Sequence, residues 1–272
     1  MTGVGRAGRT LGRAGASLAL VVALAACATV RTPDVEPVSP GAALEAWSSV
    51  LREFVDEQGR VDFRGLARDR RDLDLFIGYV ARVDPETSPE AFPTPEARLA
   101  YQINAYNALS MYGVLEAGIP RTNAGLRKIR FFFLRRYRVA GRKESLYAYE
   151  KRIRELGDPR VHFALNCMSV SCPRLPREPF RGDLLEVQLQ AQAREFFADP
   201  AHLRVDPGAG RVRVSSILEF YEDEFLRGVQ SLVEYINQHV ADPIPLDYAV
   251  EFLPYDWTIN ATDRADAGAQ GS

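Results

Sequence analysis

The stretch FPTPEARLAYQINAYNALSMYGVLEAGIP, residues 92–120, contains the strongest helical pattern in the chain. Thr94 is a favourable N-cap, Pro95 suits the first helical position, and Glu96 suits the positive end of the helix dipole. Gly118 closes the pattern, and a proline follows two residues later. The sequence therefore predicts one long and unusually apolar helix, with the other elements before and after it.

Shorter helices and short strands are predicted on both sides of this helix. Apolar residues recur at helical spacing in 42–55, 66–82, 147–156, 184–197 and 232–240, and the capping-box pattern SILE opens another helix at 216. Short strands are predicted at 129–134, 137–139, 161–166 and 211–214, and strand and turn at 248–260. Helices mixed with strands in no regular βαβ order indicate an α+β fold, a mostly helical single domain with a small mixed or antiparallel sheet.

Two asparagines interrupt the apolar face of the long helix. Asn104 and Asn107 are three residues apart, so they share a helix face. Asparagine is unfavourable inside helices and costly to bury unless its amide is hydrogen-bonded. The two side chains either hold the backbone of a loop or line a pocket. We predict that both are buried against the segment 162–175.

The N-terminus resembles a bacterial lipoprotein signal. A positive region with three arginines precedes ten residues, 17–26, that are too short to span a bilayer. The run ends in Leu-Ala-Ala-Cys, so Cys27 is the expected lipidation site. Residue 28 is Ala rather than Asp, which by the same resemblance favours the outer membrane. We therefore predict a lipid-anchored protein of the bacterial outer membrane with its domain in the periplasm.

The predicted organisation follows from this signal. It comprises a signal peptide (1–26), a lipidated cysteine with a Pro-rich tether (27–40), one domain (41–260) and a disordered tail (261–272). Removal of the signal leaves 31 Lys and Arg against 36 Asp and Glu, a net charge of −5. This charge argues against nucleic-acid binding. The run 127–143 is locally basic, and it is either a solvated hairpin surface or a contact for anionic lipid.

The segment HFALNCMSVSCPRL, residues 162–175, concentrates the residues that could carry chemistry. Cys167 and Cys172 are the remaining cysteines if Cys27 is lipidated, and in the oxidising periplasm such a pair is most simply a structural disulfide. On a regular strand Cys167 would point away from His162, which also favours the disulfide. The alternatives are a cysteine nucleophile with a histidine base and a metal site that lacks a fourth ligand. We predict the disulfide, no metal and no cofactor.

Several segments together resemble the bacterial and plant family called domain of unknown function 547. The matching motifs are VDF, YQINAYNAL, VAGRKESLYAYE, RVHFALNCMSVSCPRL, VSSILEFYEDEF and YDWTIN, spread from about Trp47 to Asn260. The resemblance marks as site residues Asn104, Asn107, His162, Cys167, Cys172, Pro173, Asp223, Asp256, Trp257 and Asn260. Phe220 stands where the family often has Trp, and the family implies no established activity.

A more distant analogy exists with papain-like and transglutaminase-like enzymes. Their plan has a Cys at the start of a long helix, then a His and an Asp on later strands. Here the long helix carries Asn104 and Asn107 instead of Cys, whereas His162 and Asp256 follow in the expected order. Fold analogy alone does not assign a function.

Two functional hypotheses follow. One is a binding or scaffold module of the cell envelope for a peptide, protein or anionic envelope ligand. The other is a thiol-dependent hydrolase or acyl/amide transferase with Cys167 or Cys172 as nucleophile, His162 as base and Asp256 as its orienting acid.

Overall fold

The structure is a computed structural model that describes residues 29–263. The predicted signal peptide, the lipidation site Cys27 and residues 264–272 of the predicted tail lie outside the described residues. Within residues 29–263, no helix is both long enough and apolar enough to cross a membrane.

Four helices build the first half of the fold: α1 (Pro40–Phe54), α2 (Phe63–Arg68), α3 (Arg71–Val80) and α4 (Pro95–Glu116). The predicted long helix is confirmed as α4, and the Thr94 side chain caps it by accepting a hydrogen bond from Ala97 N at 3.1 Å. Every residue of α4 from Leu99 to Leu115 is buried. Helix α4 is therefore the centre of the first hydrophobic core, and α1, α3 and the later helix 146–154 pack around it.

The middle of the chain is more helical than predicted. Helix α5 (Leu126–Ile129) continues into a π-helical turn (Arg130–Leu134), and the hairpin β1 (Tyr137–Val139) and β2 (Arg142–Glu144) follows. Helix α6 (Leu146–Arg154) and a 3₁₀ turn (Pro159–Phe163) come next. The strands predicted at 129–134 and 161–166 are wrong, because short apolar runs do not distinguish strand from helix. Asp158 caps the 3₁₀ turn by accepting from Arg160 N at 2.9 Å.

The second half combines helices with a three-stranded mixed sheet. Its elements are α7 (Leu185–Ala198), β3 (Leu203–Asp206), β4 (Arg211–Ser215), α8 (Ser216–Phe220), α9 (Glu222–Phe225), α10 (Leu232–Ile236) and β5 (Ala249–Leu253). Strand β4 pairs antiparallel with β3 and parallel with β5. The mixed sheet among many helices confirms the predicted α+β class.

The described residues contain two hydrophobic cores, and the 3₁₀ turn lies between them. Val161 belongs to the core around α4, whereas Phe163 belongs to the core formed by α7, the sheet and α8–α10. His162 is the residue between these two anchors, and it is buried. The segment that carries the candidate chemistry is thus fixed by packing on both sides.

Residues 29–39, which fall in the predicted tether, run along the first core. Val30 N donates to Arg136 O at 2.8 Å, and Tyr112 Oη donates to Arg31 O at 2.8 Å. Val30 and Val38 are partly buried against the same core. The chain therefore approaches helix α1 from beside strand β1.

Candidate functional site

Helix α4 holds the loop 164–173 through the amide of Asn107. Asn107 Nδ2 donates to Ala164 O at 2.9 Å, and Asn166 N donates to Asn107 Oδ1 at 2.7 Å. Asn166 then donates to Pro173 O and accepts from Met168 N, both at 2.7 Å. Burial makes these bonds costly to lose, because a buried amide without a partner keeps its desolvation penalty. The loop is therefore fixed at both ends by two asparagines.

Asn104 is also buried, but it holds a different segment. Its side chain donates to Phe180 O at 2.7 Å and accepts from Phe180 N at 2.9 Å and Trp47 Nε1 at 3.2 Å. Asn104 is therefore buried as predicted, but the prediction that it packs against residues 162–175 is wrong, because its partners are Phe180 and Trp47. One helical turn separates the two asparagines, so each reaches a different part of the following chain.

The predicted structural disulfide is absent from the structure. Cys167 and Cys172 are free thiols whose Sγ atoms are 2.8 Å apart, whereas a disulfide bond measures about 2.05 Å. Hydrogen bonds close the loop instead: Cys172 N donates to Ser169 O at 3.0 Å, and Cys167 N donates to Cys172 Sγ at 3.2 Å. The asparagine bonds above add to this closure, so the loop is held without a covalent link.

The two thiols differ in acidity. The Sγ atom of Cys167 lies beside the thiol of Cys172. The Tyr255 hydroxyl and Ser169 Oγ are each 3.5 Å from Cys167 Sγ. The bond with Cys172 outweighs burial and, with the two hydroxyls, lowers the pKa of Cys167 to about 7. Burial, together with the charge forming on Cys167, raises the pKa of Cys172 well above its usual value. Cys167 is therefore the sulfur that ionises first.

His162 faces a carboxylate and an aromatic ring. Its Nε2 lies 3.0 Å from Glu224 Oε2, and its ring stacks on Tyr221 with 4.1 Å between centroids. Arg154 forms an ion pair with the other Glu224 oxygen. Burial opposes the ionisation of Glu224, but the bonds from His162 and Arg154 hold its pKa below the usual value. Glu224 is thus a carboxylate that orients the His162 ring through the contact at Nε2.

The carboxylate bonded to His162 is Glu224 and not the predicted Asp256. Asp256 N donates to Ser171 Oγ at 2.8 Å, and Asp256 Oδ1 accepts from Thr258 N at 2.9 Å. These bonds fix the final segment against the cysteine loop. The partner of His162 comes from α9, 62 residues later in the chain. No spacing rule connects residues so far apart, so the sequence did not identify Glu224.

A second buried carboxylate lies beside this pair. Glu150 accepts hydrogen bonds from Tyr106 Oη at 3.0 Å and from Tyr221 Oη at 2.6 Å. Arg154 lies 3.4 Å from Glu150 and also forms an ion pair with Glu224. One guanidinium therefore offsets part of the negative charge of both carboxylates. No sequence pattern marks Glu150 as a site residue, although KESLYAYE, part of one motif of the resemblance, contains it.

Asn260 and Asp223 lie outside the buried centre. Asn260 N donates to Met168 O at 2.9 Å, and its side chain donates to Gly59 O at 3.3 Å. Asn260 therefore joins the cysteine loop to the N-terminal helices. Asp223 is exposed next to Glu224 and contributes charge to the edge of the cavity described below.

These groups line one cavity of about 630 Å³. Cys167, Cys172, His162 and Glu150 form part of its buried lining. Eight aromatic side chains also line it: Tyr106, Phe132, Phe133, Tyr147, Phe220, Tyr221, Tyr255 and Trp257. Exposed acidic side chains lie at the edge with Lys128, whose Nζ is 4.1 Å from the Trp257 ring centroid. The cavity has the size of a small-molecule or side-chain site, and its lining combines aromatic with polar and charged side chains.

The described chain contains no group of three His, Cys, Asp or Glu side chains that could hold a metal ion. The prediction that no cofactor is used remains a prediction. The chemistry available from the residues themselves is thiolate nucleophilicity and proton transfer by a histidine–carboxylate pair.

Comparison with known proteins gives one match. Residues 91–197 match the family model described as Protein of unknown function, DUF547. No curated protein and no solved structure matches the chain. The matched range supports the resemblance over less than half of the chain. It includes Asn107, His162 and both thiols, whereas Glu224 and Tyr255 lie outside it. The match is a similarity over residues 91–197, and it indicates no activity.

Proposed function

We propose that this protein is a thiol-dependent hydrolase or acyl/amide transferase of the bacterial cell envelope, with Cys167 as its nucleophile. The supporting observation is the placement of an acidic, unlinked thiol and a histidine–carboxylate pair in the lining of one cavity. A buried thiol without such surroundings would have a raised pKa and would be inert. The cell-envelope assignment rests on the lipoprotein-like N-terminus.

Cys167 is suited to attack a carbonyl carbon. A thiol with a pKa of about 7 is about half ionised at neutral pH, whereas an ordinary thiol is only a few per cent ionised. Attack forms a carbon–sulfur bond and breaks the bond to the leaving oxygen or nitrogen. The product is a thioester on Cys167 that water or an amine then resolves.

His162 is suited to move the protons of both steps. In its charged form it donates Nε2–H to Glu224 and can give its other ring proton to the leaving group. It then takes a proton from the attacking water or amine, which restores the charged form and frees the Cys167 thiolate. Glu224 remains a carboxylate throughout and acts as the orienting group.

A binding module without covalent chemistry is the second candidate. The observation that favours it is that, within residues 29–263, the hydrogen bond of His162 goes to Glu224 and not to either thiol. The aromatic cavity would then bind a peptide, a protein segment or an envelope ligand without transforming it. The two candidates differ in whether a covalent intermediate forms.

An acyl-trapping experiment separates them. The full-length protein, purified in detergent, is incubated with p-nitrophenyl esters of increasing chain length and analysed by mass spectrometry. We expect one acyl group on Cys167, released by hydroxylamine, and none on Cys167→Ser. Cys172→Ser is the matched control and keeps a reactive sulfur at 167. Absence of any adduct on Cys167 across the ester series would contradict the enzyme hypothesis and leave the binding module.

A further inference from the structure

A surface next to the cavity exposes apolar side chains that most folds would cover. Leu126, Ile129, Phe133 and Leu134 are 84%, 48%, 40% and 53% exposed, and all lie within one helix and one π-helical turn. Their neighbours Phe131 and Phe132 are buried, so one side of the segment 126–134 packs against the core and the other side is exposed to solvent. A contiguous exposed apolar group of this kind marks an interaction site.

The same surface carries cations without partners of opposite charge. Arg127, Arg130 and Arg136 are exposed, and no carboxylate of residues 29–263 forms an ion pair with them. By contrast, Arg142 and Arg152 pair with Asp84 and Glu86 on the adjacent side. Residues 126–143 contain no acidic residue at all. Unpaired cations around exposed apolar side chains match a negatively charged apolar partner, which is the surface of an anionic bilayer.

The path of the chain places the start of the described residues at this surface. Thr29 pairs in parallel with Arg136, and Val30 N donates to Arg136 O at 2.8 Å. Cys27 is two residues earlier, and two residues span at most about 7 Å. A lipid on Cys27 would therefore enter the membrane beside the exposed arginines.

We propose that residues 126–136 form a membrane-docking surface that lies on anionic phospholipid. Its arginines contact lipid phosphates, and Leu126, Ile129, Phe133 and Leu134 enter the boundary between headgroups and acyl chains. The lipid expected on Cys27 would attach the chain to the bilayer, and this surface would fix how the domain is oriented on it.

This docking also suggests the source of the substrate, a step that rests on the function proposed above. Phe133 lines the cavity as well as the docking surface, and its ring packs on Tyr147 with 4.7 Å between centroids. The part of the cavity edge formed by Phe133 and Tyr147 would thus face the bilayer. An amphiphile that carries an acyl group in the membrane would reach Cys167 without passing through bulk water.

Vesicle co-sedimentation tests the docking surface directly. The chain from residue 27 onward retains every described residue and carries Cys27→Ser, so no lipid is attached. Vesicles of phosphatidylethanolamine with or without 30% phosphatidylglycerol are compared at low and high salt. We expect binding to the anionic vesicles at least tenfold tighter than to the neutral ones, and weaker binding in high salt.

Paired variants localise the contact. Arg127→Glu with Arg130→Glu should lower binding at least twentyfold, because each cation near an anionic surface is worth about fivefold. Ile129→Ser with Leu134→Ser should lower binding to the same vesicles with little change in salt dependence. The matched controls Arg204→Glu and Val187→Ser, both exposed on the other half of the fold, should bind within twofold of the parent.

Two results would overturn the proposal. Equal binding to neutral and anionic vesicles would exclude recognition of anionic lipid. Unchanged binding of the paired variants would exclude residues 126–136 as the lipid contact and leave them as a protein contact or a solvated surface. Acylation of Cys167 by soluble esters provides the independent readout, because it needs no membrane. Loss of docking with intact acylation refutes only the membrane surface, and loss of acylation with intact docking refutes only the enzyme.

Discussion

Replacing Tyr255 by phenylalanine should weaken the acidity of Cys167 by a predictable amount. The Tyr255 hydroxyl lies 3.5 Å from Cys167 Sγ and 3.3 Å from Cys172 Sγ, and it is the only group removed in this variant. A hydrogen bond to a charged group is worth about 1.5–3 kcal/mol, and 3.5 Å places this one at the weak end. A loss of about 1.4 kcal/mol corresponds to one pKa unit.

The expected result is therefore a pKa of Cys167 near ~8 instead of about 7. The pH dependence of iodoacetamide alkylation measures it, with fragment ions locating the modified sulfur. At pH 7 the rate should fall about fivefold, because the thiolate fraction falls from about half to about a tenth. At alkaline pH the plateau rate should stay the same.

The plateau separates an electrostatic effect from damage to the fold. Tyr235→Phe is the control, because the Tyr235 hydroxyl is buried in the other core and has no hydrogen-bond partner within residues 29–263. A Tyr255→Phe midpoint within 0.3 unit of the parent would refute the account of the low pKa, since 0.3 unit is about 0.4 kcal/mol. A lower plateau would show a structural change instead.

Three further outcomes follow from the same contacts. Asn107→Leu should lower the free energy of unfolding by about 3 kcal/mol in urea titrations and slow Cys167 alkylation, whereas Asn104→Leu should lower stability similarly and leave alkylation unchanged. Glu224→Gln should slow transfer from the acylated enzyme at least tenfold without changing the alkylation midpoint by more than half a unit, and an unchanged turnover would contradict the role of Glu224. Cys27→Ser should abolish palmitate labelling of the chain in cells, and retained label would refute the lipoprotein hypothesis.

The pH dependence of stability provides one more test, with its sign set by Cys167. The folded-state pKa is about 7 and the unfolded value is near ~8.5, so between these values the unfolded chain binds more protons. Stability from this thiol is therefore fully present above the unfolded pKa and is lost as pH falls through about 7. Between pH 6 and 8.5 the parent should gain up to about 2 kcal/mol relative to Cys167→Ser, and parallel stability curves would contradict the assignment.

Local chemistry made helix α4 predictable from the sequence. Its cap, its first proline and its closing glycine act within a few residues, so the start at Pro95 agrees with the structure and the end at Glu116 falls close to the predicted one. The burial of Asn104 and Asn107 followed from the cost of placing amides in an apolar helix. Which backbone each amide would bind did not follow, because that depends on how later segments cross the helix.

Tertiary packing decided the parts that the sequence did not predict. The segment 161–166 has a weak alternation typical of a strand. On a strand Val161 and Phe163 would point to the same side, but here they enter different cores, which the 3₁₀ turn allows. The prediction that Cys167 points away from His162 assumed a regular strand, so it does not apply to this turn. Glu224 and Tyr255 reach the site from 62 and 88 residues further along the chain, so no local pattern could reveal them.

The backbone of the cysteine loop supports a role beyond packing. Met168, directly after Cys167, has φ of +65°, a left-handed conformation that costs a non-glycine residue about 1–2 kcal/mol. Asn166 Oδ1 accepts from Met168 N, and Asn260 N donates to Met168 O. One side-chain and one backbone hydrogen bond therefore hold Met168 in this conformation. A loop that only closed the core could relax to an ordinary turn. This loop instead keeps strain at the residue that sets the direction of Cys167, and strain maintained beside a reactive group is typical of sites where geometry serves chemistry.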